Sequence, residues 1–254
     1  MPTTIFITGA TSGFGYAIAR IFAQHQYRIV ITGRRTERLQ AVAEKLRKEF
    51  NVKVLALNFD VRDKNTVNSA IASMPDEWKN NIDILINNAG LAAGLDLIQD
   101  GSTEDWDQMI DTNVKGLLYV TKAIVPFMIA NQQGHIFNMG SLAAKNVYEK
   151  GNVYCASKFA VDALSQSMRI DLLKHRIKVT TIHPGAVETE FSNVRFKGDE
   201  ERANAVYKGY QPLVADDIAN VVFYCATLPA HVCINELLIS PVAQANPFYL
   251  DRKV

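Results

Sequence analysis

A repeating rhythm constrains this chain more than any single motif. Short β-branched runs recur at Ile5 to Thr8, Arg28 to Thr32, Val52 to Leu57, Asp83 to Ile86, His135 to Met139, Lys178 to Ile182 and Glu236 to Ile239, with helix-length segments between them. A strand that returns parallel to its neighbour needs a crossover of about a dozen residues or more, and an amphipathic helix is the economical crossover. The rhythm predicts about seven strands in one parallel sheet covered on both faces, an α/β doubly wound fold. Thr36 to Phe50 shows the crossover type. Leu39, Val42, Ala43 and Leu46 recur at helical spacing, while Glu37, Arg38, Glu44, Lys45 and Lys48 take the other positions. The alternation runs unbroken to about Gly185, with no internal repeat and no Pro/Ser-rich linker, so residues 1–254 are expected to form a single domain. Residues 188–214 are rich in charge and lack a strand signal, as a loop or a pair of short helices over a cleft would be. The tail, 244–254, has no period and is either frayed or tied down by another surface.

Charge and cysteine usage exclude several function classes. The chain carries 27 Lys+Arg against 26 Asp+Glu, a formal net charge of +1. Tracking a nucleic-acid backbone or an anionic bilayer needs clustered Lys and Arg, so neither nucleic acid nor membrane is an expected partner. Hydrophobic residues make up 48% of the chain, enough to bury a core. No run approaches the roughly 20 apolar residues of a membrane span, and no basic region precedes the first strand. Cys155, Cys225 and Cys233 are odd in number and widely scattered, which argues against a disulfide framework and against a four-ligand zinc site. A cytoplasmic protein without a metal is expected.

The first strand runs into Thr8, Gly9, Ala10, Thr11, Ser12, Gly13, Phe14 and Gly15, and a helix follows. Glycines let backbone approach a pyrophosphate closely, and a helix N-terminus offers free N–H groups and a positive dipole end. The spacing, Gly-x3-Gly-x-Gly, departs from the commoner Gly-x-Gly-x2-Gly, but its place directly after the first strand points to a dinucleotide. In NAD-binding versions an acidic residue ends the second strand, whereas an Arg there accommodates a 2′-phosphate. This chain has Gly33, Arg34 and Arg35. A cation beside a helix N-terminus opposes the helix dipole, which favours a ligand role for the pair over a merely solvated one. Two guanidinium groups would attract a 2′-phosphate, so NADP is the expected cofactor.

Tyr154 and Lys158 stand four apart in a helical segment and share one face. Tyr249 and Lys253 repeat the spacing in the tail and serve as a decoy. Upstream of the first pair, Ser141 follows the strand His135 to Met139, at the sheet edge where ligands bind in open α/β folds. Thr8 to Gly15, Asp60 with Val61, the run Asn87, Asn88, Ala89, Gly90, then Asn113, Ser141, Tyr154, Lys158 and Pro184 with Gly185 together resemble the short-chain dehydrogenase/reductase family over nearly the whole chain.

The resemblance implies a Rossmann-type oxidoreductase with Asn113, Ser141, Tyr154 and Lys158 as its catalytic set. Tyr154 would be the general acid/base, and Lys158 the cation that stabilises a phenolate whose free pKa is about 10. Lys158 would also bond the nicotinamide ribose, Ser141 the substrate oxygen, and Asn113 would hold a water chain relaying the proton. Asp60 and Val61 would meet the adenine region, Asn87, Ala89 and Gly90 the adenosine side, and Pro184, Gly185, Val187 and Thr189 the nicotinamide end. The chain departs from the common pattern at His183, where Asn often stands. His183 is assigned no catalytic role, and Cys155, about 100° around the helix from Tyr154, is expected in the core.

Within the family, Thr32 to Arg35, Asp111 to Asn113, Gly151 to Tyr154, Glu190 to Gly198 and Thr227 to His231 look like the NADP-dependent 3-hydroxy acid dehydrogenases. That implies hydride transfer between the nicotinamide and a small 3-hydroxy acid or its semialdehyde. Arg195 is the candidate anchor for the acid group, with Tyr148 adding a hydroxyl and Ser141 and Tyr154 meeting the reacting oxygen. Arg195 and Lys197 also read as ordinary solvated loop charges. Reduction of sulfoacetaldehyde or of a bulkier apolar carbonyl is one alternative, and a non-catalytic NADP-binding sensor is another. A homotetramer is implied, its tail Pro247, Phe248 and Tyr249 docking near a neighbouring subunit's substrate pocket.

Overall fold

The computed structural model describes residues 3–253. Six strands follow one another in the order of the rhythm: β1 (Thr4–Ile7), β2 (Arg28–Gly33), β3 (Val54–Asn58), β4 (Ile82–Asn87), β5 (Gly134–Met139) and β6 (Ile177–Pro184). Two short strands, β7 (Val187–Glu188) and β8 (Leu213–Val214), precede β9 (Glu236–Ile239). The main sheet is parallel and seven-stranded, in the order β3-β2-β1-β4-β5-β6-β9. The chain winds outward from β1 to β3 and returns to β4 on the other side of β1. The carboxyl ends of β1 and β4 therefore flank a crevice, the place where this topology binds ligands.

The helices are α1 (Gly13–Gln24), α2 (Thr36–Phe50), α3 (Lys64–Ala72), α4 (Asp76–Lys79), α5 (Thr103–Ile110), α6 (Leu117–Asn131), α7 (Asn152–Asp171), α8 (Phe191–Arg195), α9 (Glu200–Ala205) and α10 (Ala215–Ala226). Successive strand residues point to opposite faces, and the core divides accordingly. Ile5 and Ile7 pack with Ile18 and Phe22 of α1, Leu39 of α2 and Ile218 and Val222 of α10. Phe6 and Val30 pack on the other face with Val67 of α3, Ile124 of α6 and Val161 of α7. In α2 the predicted stripe is buried at Leu39, Ala43 and Leu46, with Val42 at its margin. Asn51 and Gln132 adopt left-handed backbone (φ 53° and 51°) and end α2 and α6.

Two sequence expectations change. Residues Thr103–Asn131 form one continuous helix, through a π-helical turn at Asp111–Gly116, long and apolar enough by length and composition to cross a bilayer. Composition alone cannot separate a span from a core helix. Here Leu117, Val120, Ile124 and Met128 are buried within the fold. In the segment expected to lack strands, β7 and β8 pair in parallel, Val187 with Leu213 and Glu188 with Val214. This two-residue ladder gathers α8 and α9 into a flap with a closed neck. Strands this short leave no period to read.

Candidate active site

A cleft of about 740 Å³ opens over the carboxyl ends of β1, β4, β5 and β6. Its cofactor end is built by the turn between β1 and α1. Gly9 (φ 67°) and Gly13 (φ 53°) occupy left-handed backbone, and a Cβ on Gly9 would lie 3.0 Å from Ala89 Cα. Ser12 caps α1 without a side-chain bond, and no acidic residue stands in the first helical turn. The first N–H groups of α1 therefore face the cleft with their dipole uncompensated. Gly9, Thr11, Ser12, Gly13 and Phe14 all line the cleft. Gly15 does not: a Cβ there would lie 2.4 Å from the Gly9 carbonyl oxygen, so this glycine permits the turn to close rather than meeting a ligand.

At the end of β2, Arg34 and Arg35 line the same cleft. Arg35 Nη2 donates to Thr11 Oγ1 at 3.0 Å and Ser12 Oγ at 3.3 Å, which stretches the guanidinium across the glycine turn. Arg34 lies 3.7 Å from Asp60. Asp60 and Val61 line the wall, but both Asp60 carboxylate oxygens are gripped by Arg62, at 2.7 Å for the shortest bond. Burial opposes ionisation of Asp60, and the bonds and charge of Arg62, aided by Arg34, outweigh it and hold the carboxyl below its usual range. Asp60 thus orients arginines instead of standing free for an adenine. Arg38 was not anticipated. Four residues after Arg34, in the first turn of α2, it pairs with Glu190 of the flap, as Arg35 does at 3.6 Å. The i, i+4 recurrence of Arg was its only signal.

Ala89 and Gly90 line the cleft, but Asn87 is turned inward, donating to Thr121 Oγ1 and Asn138 Oδ1 at 2.9 Å each. A β4 residue alternates faces, and Asn87 takes the core side. Its neighbour Asn88 does the work at the cleft, donating to the Thr8 and Gly9 carbonyls at 2.9 and 3.1 Å and so locking the glycine turn to β4. Pro184, Gly185, Val187 and Thr189 line the far end. A glycine cradle, an uncapped helix N-terminus and paired arginines suit a dinucleotide carrying an additional phosphate.

At the reacting end, Ser141 follows β5 in extended conformation and begins a 3₁₀ turn, Leu142–Ala144, its Oγ accepting from Ala143 N–H at 3.1 Å. Tyr154 and Lys158 come from the first turns of α7, both buried. Burial pushes the Tyr154 hydroxyl well above the usual phenol range, with Ser141's hydrogen bond and Arg195's charge opposing. Burial likewise lowers Lys158 to about 8. Its ammonium donates to Met139 O at 2.8 Å and stands 5.9 Å from the Tyr154 ring centre. Asn113, in the π turn, is buried. It accepts from Leu91 N–H and donates to Leu91 O, each at 2.8 Å, and donates to Ser157 Oγ at 3.0 Å. Its amide is committed to Leu91 and Ser157, behind Gly90, and Asn113 does not itself line the cleft. Cys155 is fully buried, as expected.

Above Tyr154 lies Arg195, at the end of α8. Its guanidinium carbon is 5.6 Å from the Tyr154 ring centre and 5.5 Å from that of Tyr148. Nε donates to Gly94 O at 3.3 Å, and Nη2 is buried without a hydrogen-bond partner. Lys197, by contrast, is solvated and paired with Asp105 at 2.9 Å. Tyr148 lines the cleft too, its hydroxyl raised chiefly by burial. The tail folds onto its own chain. Gln244 Oε1 accepts from Ala186 N–H at 2.7 Å, and Pro247, Phe248, Leu250 and Arg252 line this chain's own cleft. The decoy Tyr249 is 72% exposed and outside the cleft.

A parallel sheet with a glycine turn at its switch point, and a Ser, Tyr and Lys converging at the opposite end of one cleft, defines a dinucleotide-dependent oxidoreductase. The short chain dehydrogenase model matches residues 3–200, and the chain belongs to that family. It is 46% identical over 242 residues to the NADP-dependent 3-hydroxy acid dehydrogenase YdfG of Escherichia coli strain K12, covering 95% of this chain and 96% of that protein. It is 43% identical over 245 residues to serine 3-dehydrogenase of Agrobacterium fabrum, covering 96% of each. The closed form of serine dehydrogenase complexed with NADP+ superposes with a TM-score of 0.92 at 45% identity, covering 96% of this chain and 97% of that one.

Proposed function

We propose that this protein is an NADP-dependent dehydrogenase of small 3-hydroxy acids, serine-like or 3-hydroxypropionate-like, or a reductase of the matching semialdehydes. The observation that carries the substrate class is the buried, unpartnered Nη2 of Arg195 beside Tyr154. An unsatisfied buried cationic donor is costly, and a substrate carboxylate would satisfy it while aiming the hydroxyl-bearing carbon at the reacting end. NADP, when bound, supplies the acceptor or donor of the hydride. Gly9 to Phe14 and the α1 N-terminus would hold its pyrophosphate, and Arg34 and Arg35, with Arg38 near, its 2′-phosphate.

During oxidation Ser141 donates a hydrogen bond to the substrate oxygen and Tyr154 removes the hydroxyl proton. Lys158 lowers the cost of the phenolate by its positive charge, and its bond to the Met139 carbonyl holds the ammonium in place. In reduction Tyr154 returns the proton. Because Tyr154 must be ionised in one direction and protonated in the other, oxidation should quicken and reduction slow as pH rises through the alkaline range. A sensor without chemistry would have no need of this buried Tyr and Lys. A sulfonate would fit the same guanidinium as a carboxylate, so sulfoacetaldehyde belongs in the substrate panel. The cytoplasm suits three unpaired thiols, two of them buried. Association of subunits, in our reading a homotetramer, is supported by exposed apolar side chains, among them Phe159, Ile170 and Leu173 on and after α7.

The test compares kcat/KM for a 3-hydroxy acid with that for a matched uncharged alcohol, in wild type and Arg195→Ala. Loss of a charge-assisted contact should cut efficiency toward the acid by roughly 10- to 150-fold and leave the alcohol nearly unchanged. Equal losses would mean that Arg195 supports the flap and not the substrate.

A further inference from the structure

His183 lies directly beneath the Ser141 turn. It is fully buried at the end of β6, and its Nδ1 stands 3.3 Å from Ser141 N and 3.1 Å from Ser141 O. The ring also fixes the residue before the serine. A Cβ at Gly140 would lie 2.5 Å from His183 Nδ1, so only glycine lets the turn close over the imidazole. On the other side of the ring, Nε2 is 3.6 Å from Asp162 Oδ1 and 3.6 Å from Glu236 Oε1. Both Nε2 and Asp162 Oδ1 lack hydrogen-bond partners.

These two carboxylates come from different elements. Asp162 is on α7, one turn beyond Lys158, and Glu236 opens β9, in register with Thr181 of β6. Lys145, immediately after the 3₁₀ turn that Ser141 begins, closes the cluster. Its ammonium lies 2.9 Å from Asp162 Oδ2 and 2.5 Å from Glu236 Oε1. That cation already fills the space between the acids, so the cluster is a clasp and not a vacant metal site. It joins the turn carrying Ser141 to the helix carrying Tyr154 and Lys158.

We infer that His183 is the positioning residue of Ser141: its imidazole grips the Ser141 peptide from beneath and ties it to Asp162 and Glu236, setting where the hydroxyl meets the substrate. The grip has a polarity. In the neutral ring with its proton on Nε2, Nδ1 accepts from Ser141 N–H and Nε2–H faces the carboxylates. Once protonated, Nδ1 can no longer accept and turns to the Ser141 carbonyl. Burial, with the charge of Lys145, keeps the ring on the neutral side against the pull of Glu236 and Asp162.

The inference rests on Ser141 being the hydroxyl that bonds the substrate oxygen, and a mutant cycle separates the two. His183→Ala, Ser141→Ala and the double variant are assayed at saturating cofactor, with NADPH affinity followed by fluorescence. His183→Ala should lower kcat about 10-fold with NADPH affinity unchanged, and the double variant should match Ser141→Ala within about twofold, because both act through one hydroxyl. His183→Asn, whose amide oxygen can accept from Ser141 N–H, should recover most of the loss and should fold even where Ala leaves too large a void. It should also remove the fall in kcat that His183 protonation produces in wild type below the ordinary histidine range. Multiplying losses in the double variant, or an Asn variant as impaired as Ala, would overturn the positioning role and leave the reading of Ser141 intact. An unimpaired Ser141→Ala would remove both.

Discussion

Lys158 is held where an ammonium is least comfortable. Its folded pKa of about 8 lies below the ordinary 10.5 because burial disfavours the charge. Between those values the unfolded chain binds more protons than the folded one. The charge therefore destabilises the fold at neutral pH, and the penalty fades as pH climbs from about 8 to 10.5. Removing the group should stabilise the empty protein. Lys158→Met is expected to gain about 1 to 2 kcal/mol at pH 7, allowing for the lost bond to Met139, and to lose that advantage by about pH 10. Thermal melts of both proteins across this range would check it, and a gain that did not shrink with pH would implicate packing instead. Tyr154→Phe, in contrast, should abolish turnover while NADP still binds, whereas Tyr249→Phe, out in the tail, should turn over normally.

The turn between β1 and α1 shows how two glycines only two positions apart, Gly13 and Gly15, serve different purposes. Gly13 needs only its left-handed φ, since a Cβ there would sit at an ordinary 3.7 Å from Thr189, whereas a Cβ on Gly15 would strike the Gly9 carbonyl at 2.4 Å. Gly13→Ala should cost about 1 kcal/mol and weaken NADP modestly. Gly15→Ala, forced into backbone, should cost about 1 to 3 kcal/mol and displace the whole turn. Melting temperature and NADP affinity measured together would separate the two, and equal behaviour would show that the close approach at Gly15 does not constrain the turn. The sequence made this turn legible because strand, glycines and helix are contiguous. It made β1 to β6 and β9 legible because β-branched runs alternate with amphipathic helices such as α2. What it hid depends on contacts between distant residues. Asn87 and Asn88 are adjacent and chemically identical, and only strand alternation, with Thr121 and Asn138 waiting in the core, decides which one faces the cleft. Arg38 gains its place only through Glu190, 152 positions away.

Across the folded chain, the tail forms one wall of the cleft. Arg252 donates to the carbonyls of Val206 and Lys208 after α9, at 3.0 Å for Val206, and Lys253 N–H bonds Gly209 O at 2.8 Å. A tail without hydrophobic period can still be ordered, because its bonds go to exposed carbonyls at a helix end. Truncation after Gln244 should therefore raise KM for the hydroxy acid roughly 3- to 10-fold and lower thermal stability by about 1 to 2 kcal/mol. Sedimentation of the same protein reports on assembly independently, and an unchanged KM would mean that the flap closes without its tether. The neck made by β7 and β8 has a consequence for protein engineering. The chain between Glu188 and Leu213 enters and leaves at two neighbouring points, so the segment should be exchangeable as a cassette once its contacts to Arg35, Arg38, Asp105 and Arg252 are kept. Its counterpart from another member of the family can be spliced in at the Val187–Leu213 and Glu188–Val214 pairs, transplanting a new substrate preference while the sheet, the glycine turn and the Ser, Tyr and Lys stay in place.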